Sequence, residues 1–163
     1  MSRSKHYLLV GVGIVAVFAT SALMNTRPAA AQNKDASKDA FQTTVTLTAT
    51  SGVQMTGNFI VPAGKRLVIE HVTAGFSVGV GEKAALDMHT SLDGTTRFHF
   101  FVTTPQGTFT AGASSYDVFR VSQPTRIYAD GGTPVSFISW RNSSTSGFAM
   151  VSVVTVSGTL TNL

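Results

Sequence analysis

The sequence contains no cysteine, and only 12% of its 163 residues carry a charge. The absence of cysteine excludes disulfide bonds and thiolate metal sites, so packing and backbone hydrogen bonds have to hold the fold. The low charge and the 9% of aromatic residues also argue against a disordered chain, which carries more charge and fewer aromatics. No stretch has the apolar spacing of a long amphipathic helix. These absences favour an all-β domain.

The N-terminal 31 residues have the three parts of a secretory signal peptide. Arg3 and Lys5 precede an apolar run over residues 7–24 that contains no charge, and Ala29-Ala30-Ala31 supplies the small residues that a cleavage site requires. The alternative is an uncleaved membrane anchor, because 18 apolar residues are close to the shortest span that crosses a bilayer.

We expect cleavage between Ala31 and Gln32, which leaves 132 residues that are secreted or periplasmic and no longer attached to the membrane. Residues 32–40 are polar and are expected to form a flexible lead-in. Residues 41–163 are then one domain, large enough to bury a core without disulfide bonds.

Removal of the leader changes the charge balance. Three of the 12 Lys and Arg residues and none of the 8 Asp and Glu residues lie before residue 32, so nine basic and eight acidic residues remain, a net charge of +1. The remaining basic residues are scattered along the chain. Because there is no basic cluster, we expect no nucleic-acid partner.

Residues 41–51 alternate between two kinds of side chain. Odd positions from Phe41 to Ala49 are mostly apolar, whereas even positions hold Gln42 and four threonines. A period of two predicts an antiparallel strand with one buried and one solvated face. We interpret the threonines as an ordinary exposed strand face, and a hydroxyl face that binds ice, a crystal or a glycan is the alternative.

The stretch Asn58–Ser77 predicts a strand, a turn and a long strand. Pro62-Ala63-Gly64 has turn composition, because Pro presets φ at the second position and Gly is favoured at the fourth. Arg66–Phe76 is apolar or β-branched at most positions, and we expect it to be the central strand. Glu70 and His71 are adjacent and should therefore point to opposite faces rather than form an acid–base pair.

Several later features predict strand ends and irregularities. Pro105-Gln106-Gly107 is expected to be a turn, and Gln123-Pro124 is expected to end a strand. Val135–Arg141 carries the one Trp and predicts a core strand. Phe148–Leu160 predicts a long final strand, in which a shift of the apolar phase between Met150 and Val154 indicates a bulge or a crossing between sheets.

Residues 85–104 predict a β-hairpin. A three-residue loop, Leu92-Asp93-Gly94, would place Asp87 opposite His99 and leave His89 on the same face. A carboxylate with two imidazoles is a common ligand set for a divalent transition metal, so Asp87, His89 and His99 are candidate metal ligands. The alternative is an exposed polar face on which Asp87 pairs with His99.

Together these patterns predict about eight to ten strands, with turns at intervals of roughly 8–12 residues. The architecture that fits is an antiparallel two-sheet sandwich. Without cysteines the Cys–Trp–Cys spacing of an immunoglobulin domain is missing, so we expect a jelly-roll-like sandwich.

Three segments resemble a strand-and-turn pattern of small uncharacterised secreted bacterial proteins. They are Phe59-Ile60-Val61-Pro62-Ala63-Gly64-Lys65-Arg66-Leu67-Val68-Ile69-Glu70, Arg126-Ile127-Tyr128-Ala129-Asp130 and Val156-Ser157-Gly158-Thr159-Leu160. The resemblance implies export and the β-sandwich class, and it implies no active-site residue.

We assign no catalytic residue and no organic cofactor, so the first hypothesis is an exported, non-enzymatic module that binds an unidentified ligand or protein partner. Its binding rim would combine residues 104–115, 130–134 and 142–147, and a homo-oligomer is compatible with its long strands. A small metal-dependent, cupin-like enzyme that uses Asp87, His89 and His99 is the second hypothesis. A surface or matrix structural subunit is the third.

Overall fold

The structure is a computed structural model, and it describes residues 38–49, 51–143 and 147–163. The expected signal peptide and its cleavage site at Ala31 and Gln32 lie outside the described residues. Among the described residues, no helix has the length and apolar character that a membrane crossing requires.

The described residues form nine β-strands. In chain order they are β1 (Lys38–Ala49), β2 (Gln54–Ile60), β3 (Lys65–Gly79), β4 (Ala84–Leu92), β5 (Thr95–Phe101), β6 (Thr104–Ala111), β7 (Ser114–Asp130), β8 (Pro134–Arg141) and β9 (Met150–Asn162).

Two antiparallel sheets pack against each other. One has the order β1-β9-β3-β7-β6 and the other has the order β2-β8-β4-β5. Without β6, each sheet has four strands in the order of a jelly roll, and β6 extends the first sheet at its edge. The all-β, jelly-roll-like sandwich is therefore confirmed. The prediction of the central strand is also confirmed, because β3 pairs with β9 on one side and with β7 on the other.

The first strand begins earlier than the sequence predicts. Lys38, Asp39 and Ala40 pair with the end of β9, so the expected lead-in does not reach residue 40. Asp39 also accepts a hydrogen bond from Lys65 Nζ at 3.0 Å. From Phe41 onward the predicted alternation is confirmed as far as Ala49, with Leu47 in the core and Thr44, Thr46 and Thr48 exposed.

The strand break expected at Gln123-Pro124 is wrong, because β7 continues through both residues. Pro124 lies opposite His71, next to a β-bulge where the register shifts between Ile69 and His71. At a bulge a Pro is tolerated, since no ladder bond needs its missing N–H. Thr125 Oγ1 donates to the Ile69 carbonyl at 2.9 Å and supplies a side-chain bond at this point.

Two further turn predictions differ in detail. Pro105–Gly107 is not a turn but a bulge in the edge strand β6, with Gly107 at φ 108°. The Pro62–Gly64 turn forms, but one residue later than expected. Its closing bond runs from the Lys65 N–H to the Pro62 carbonyl, and Gly64 occupies the third turn position at φ 72°, where a positive φ favours glycine.

The core lies between the sheets and is built largely from β3, β8 and β9. Phe76 of β3 and Phe137 of β8 are fully buried, and each such side chain stabilises the fold by roughly 1.5–3 kcal/mol. The expected phase shift in β9 is wrong, because all even positions from Met150 to Val156 are buried. Ser152 occupies one of these buried positions, so the apolar alternation in the sequence is interrupted there. Its buried hydroxyl accepts a hydrogen bond from Ser139 at 3.0 Å.

One end of the sandwich is closed by a buried ion pair that the sequence analysis missed. Arg141 Nη1 lies 3.4 Å from Glu82 Oε2, and both side chains are buried. Arg141 also donates to the carbonyls of Gly52 at 2.8 Å and Phe148 at 2.7 Å. Glu82 accepts from the Gly79 N–H at 2.9 Å. These bonds join the chain before β2, the β3–β4 turn and the chain before β9.

The opposite end is held by a second arginine. Arg66 of β3 donates two hydrogen bonds to Asp130 Oδ1, at 2.9 and 3.1 Å, and one to Asp93 at 3.2 Å. The Asp93 N–H donates to the other oxygen of Asp130. Because Asp93 belongs to the β4–β5 turn, this network ties the hairpin of one sheet to β3 and β7 of the other.

We expect Arg141→Met to lower the free energy of unfolding by about 3–5 kcal/mol, because it leaves Glu82 buried without its counter-charge. Urea denaturation measures the change. Arg126→Met removes an exposed arginine and should change stability by less than about 0.5 kcal/mol. Equal, small effects of the two substitutions would show that the buried pair does not hold this end of the fold.

Candidate functional site

The turn between β4 and β5 has two residues rather than three. Leu92 pairs directly with Thr95, and the loop residues Asp93 and Gly94 both have positive φ, at 51° and 72°. This is the conformation of a type I′ hairpin turn, for which Asp-Gly is a preferred sequence. The expected three-residue loop is wrong, and the register of the hairpin is displaced by one residue.

This register separates the three candidate metal ligands. Met88, not Asp87, lies opposite His99. Asp87 and His89 therefore face outward, whereas His99 lies on the side of the core, because adjacent strand residues point to opposite faces. The geometry expected for a site made of Asp87, His89 and His99 is wrong. Among the described residues no group of three His, Cys, Asp or Glu side chains is placed to hold a metal ion.

Each of the three residues has a different neighbour instead. Asp87 Oδ2 accepts a hydrogen bond from Trp140 Nε1 at 3.0 Å. The His89 ring meets Phe98 edge-on, with 4.4 Å between centroids. His99 Nε2 lies 3.0 Å from the Thr90 hydroxyl. Desolvation, and secondarily the nearby His89, lower the pKa of His99 below its ordinary value of 6.5.

The same register exposes apolar side chains on the outer face of the four-stranded sheet. Phe98 and Phe100 are 59% and 73% exposed, and Val102, directly after β5, is 80% exposed. Trp140 and Ile138 of β8 lie on this face too, in rows with Ala85 and Asp87 of β4. We call the outward side chains of Phe98, Phe100, Val102, Ile138 and Trp140 the aromatic face.

Trp140 lies on a core strand, but its own side chain faces outward. The prediction that its strand belongs to the core is confirmed, because Val135 and Phe137 are fully buried. The indole itself is only half-buried and points away from the core, where Asp87 fixes its N–H. Its ring is therefore held in one orientation on a solvated surface.

The strand that follows the aromatic face is also uncovered. Every residue of β6 is exposed, although a strand in a sheet normally buries one face. Asp117 of β7 fixes this region, because it accepts hydrogen bonds from Thr108 Oγ1 at 2.6 Å and from the Gly81 N–H at 2.8 Å. These bonds lower the pKa of the Asp117 carboxyl.

The outer face of the five-stranded sheet has a different chemistry, and we call it the hydroxyl face. The cross-strand pairing places Thr44, Thr155, Thr73 and Ser122 in one row across β1, β9, β3 and β7. Within this row the hydroxyls of Thr44 and Thr155 are 2.9 Å apart. Next to the row lies an open groove of about 610 Å³, which runs over Gly75 and beside Arg120.

A bulge also brings Glu70 and His71 to the same side. Ile69 and Val72 are both fully buried, so the two residues between them both lie outward. The expectation that Glu70 and His71 face opposite ways is therefore wrong. Ser122 Oγ lies 3.3 Å from His71 Nε2, but among the described residues no carboxylate hydrogen bonds to His71. The pair lacks the third group that orients a catalytic histidine.

A sequence motif typical of a nucleophilic serine lies in a backbone setting that does not suit a nucleophile. Gly75-Phe76-Ser77-Val78-Gly79 matches the Gly-x-Ser-x-Gly pattern, which the sequence analysis overlooked. That motif works at a sharp turn between a strand and a helix, whereas Ser77 lies inside the continuous strand β3, opposite Val118 and Val151.

The three segments expected to form one rim do not all meet. Ser114 and Ser115 lie beside Gly147 around one pocket, but the other segment is distant. Residues 130–134 and Asn142 lie at opposite ends of β8, and residues 104–111 are strand β6 rather than a loop. Residues 144–146 of the third segment lie outside the described part. A single rim of all three segments therefore does not form, and the two outer sheet faces are the candidate surfaces.

No protein-family model matches the chain, and no curated protein matches it. The chemistry of these two faces is therefore the basis for a proposed function.

The lowered pKa of His99 predicts a pH dependence of stability. The folded chain binds fewer protons at this residue than the unfolded chain once the pH falls below about 6.5, so folding stability should decrease from pH 7.5 to pH 5.5. His99→Gln should lose less stability over this interval in urea denaturation. Between pH 7.5 and 8.5 the two proteins should change in parallel. An identical loss in both proteins at acid pH would contradict the assignment to His99.

Proposed function

We propose that the chain is an exported, non-enzymatic module that binds a second copy of itself through the free edge of β5 and the aromatic face. Export rests on the basic, apolar and small-residue pattern of residues 1–31. The single observation that carries the partner surface is the exposure of Phe98, Phe100 and Val102 in one outward row. Rows of this kind on a soluble domain mark interaction sites.

The β5 edge differs from the other three sheet edges because two of its phenylalanines are exposed on the same face. Edge strands avoid pairing with other chains through charges, proline or bulges, and a glycine inside a strand weakens it. β1 begins with Lys38 and Asp39, β6 contains Pro105 and a bulge, and β2 has Gly57 at its centre. β5 contains no Pro, Gly, Lys or acidic residue, and Arg97 is its one charge.

The symmetry of a dimer supports the same edge. In an antiparallel pair, residues directly opposite each other share a face. A two-fold axis perpendicular to the sheet would therefore place even-numbered residues of β5 against even-numbered residues of the partner copy. Phe98 and Phe100 would meet phenylalanines or their close neighbours across the axis. The product would be one eight-stranded sheet with a continuous aromatic outer face.

The available area is compatible with such a dimer. An aromatic side chain buries about 150–250 Å², so the exposed fractions of Phe98 and Phe100 leave roughly 260 Å² per copy to cover. Two copies would bury about 500 Å² from these rings, half of the roughly 1,000 Å² that a specific interface needs. Val102, Arg97 and the β5 backbone supply the remainder.

Sedimentation velocity on the purified chain tests the proposal. We expect a dimer at tens of micromolar, and we expect Phe98→Thr/Phe100→Thr to be a monomer at the same concentration. Threonine keeps the strand propensity of the edge, and both phenylalanines are exposed, so the thermal unfolding midpoint should change little.

Val53→Thr/Ile60→Thr is the matched control, because these side chains are 42% and 58% exposed but lie away from β5. This variant should remain a dimer. A wild-type chain that is monomeric up to about 100 μM would overturn the proposal. So would a dimer that both double variants retain.

A further inference from the structure

The groove on the hydroxyl face has an arginine across it. Arg120 of β7 lies opposite Gly75 of β3, and a Cβ added at Gly75 would collide with Nη1 of Arg120. The glycine thus makes room for the guanidinium to lie over the strand. Among the described residues, Arg120 has no carboxylate partner. Within the described part of the chain, the one hydrogen bond of its guanidinium is a long contact of 3.4 Å from Nη1 to the Phe119 carbonyl.

The remaining lining of the groove is neutral and has two parts. Hydroxyl groups lie around the guanidinium, and two valines form an apolar strip on β9; the residues are Thr73, Ser77, Ser122, Thr155, Val151 and Val153. No acidic side chain lines the groove. Its volume of about 610 Å³ is in the range of ligand sites, roughly 300–1,000 Å³.

This combination selects for one class of ligand. A guanidinium binds a carboxylate through two parallel hydrogen bonds and is less hydrated than an ammonium group. Hydroxyl side chains both donate and accept hydrogen bonds, so they match the hydroxyl groups of a sugar. The valines can cover the carbon–hydrogen face of a sugar ring. The groove is open, which suits a segment of a chain rather than an enclosed small molecule.

We infer that this groove binds a carboxylated carbohydrate, with the carboxylate on Arg120 and the ring hydroxyls on the surrounding Thr and Ser side chains. The site lies on the sheet opposite to the aromatic face, so it does not depend on the proposed self-association. A dimer formed through β5 would leave the groove open on each copy.

Titration calorimetry with oligogalacturonate, a chain of carboxylated sugars, tests the inference at 150 mM salt. Neutral malto-oligosaccharides of equal length are the comparison. We expect binding of the acidic oligomer to be at least tenfold tighter than binding of the neutral one. Arg120→Gln should weaken it roughly 10- to 100-fold, as expected for loss of a charge-assisted hydrogen-bonded pair.

Two further variants separate a specific site from general charge attraction. Arg126→Gln removes the same charge from an exposed position on the same strand, where the arginine donates to the Tyr128 hydroxyl, and it should bind like the wild type. Gly75→Ala keeps the charge of Arg120 but displaces the guanidinium, so it should also weaken binding. Thermal unfolding of each variant confirms that the fold is retained.

Equal weakening by Arg120→Gln and Arg126→Gln would overturn the inference, because it would show attraction to net charge alone. Absence of binding by the wild type at millimolar oligogalacturonate would overturn it as well. Neither result would bear on the oligomeric state, which sedimentation measures independently.

Discussion

The two-residue turn at Asp93-Gly94 decides which side chains of β5 face solvent. Because strand residues alternate between faces, a loop with one more residue would invert the whole strand. With the turn as it is, Phe101 packs in the core, His99 is partly covered, and Phe98 and Phe100 are exposed. Asp93 has a second role, since it joins Arg66 and Asp130 of the other sheet. The aromatic face thus depends on a turn that is anchored from outside the hairpin.

The features that could be predicted from the sequence are those with a strict period of two. The strand that begins near Phe41 alternates clearly, and the long apolar run after Lys65 identifies the central strand, so the sandwich class follows. The bulge at Glu70 could not be predicted in this way. It inserts one residue into β3 and turns both Glu70 and His71 outward. No residue type in that stretch indicates a bulge.

Other errors arose where a polar residue occupies a core position or a breaker lies at an irregularity. Ser152 faces inward because Ser139 satisfies its hydroxyl, so the apolar pattern of β9 looks displaced. Pro124 continues a strand because a bulge lies beside it. The buried pair of Glu82 and Arg141 joins residues 59 positions apart, and a contact at that separation leaves no local signal in the chain.

The two outer faces of the sandwich give the chain two different surfaces on one rigid core. One carries fixed aromatic rings, since Asp87 holds Trp140 and His89 packs on Phe98. The other carries rows of hydroxyls around a single guanidinium. Both surfaces are broad and open. Broad, open surfaces of this kind suit the proposed role in binding.

The aromatic face exists only if Phe98 and Phe100 point outward, and the lack of cysteine makes this orientation directly measurable. Single cysteines placed at Phe98, His99, Phe100 and Phe101 can be labelled with a charged thiol reagent, at concentrations where the chain is monomeric. The account predicts fast labelling at positions 98 and 100 and slow labelling at 101, with 99 between them. Fast labelling at 99 and 101 with protection at 98 and 100 would show the inverted register and would contradict the account.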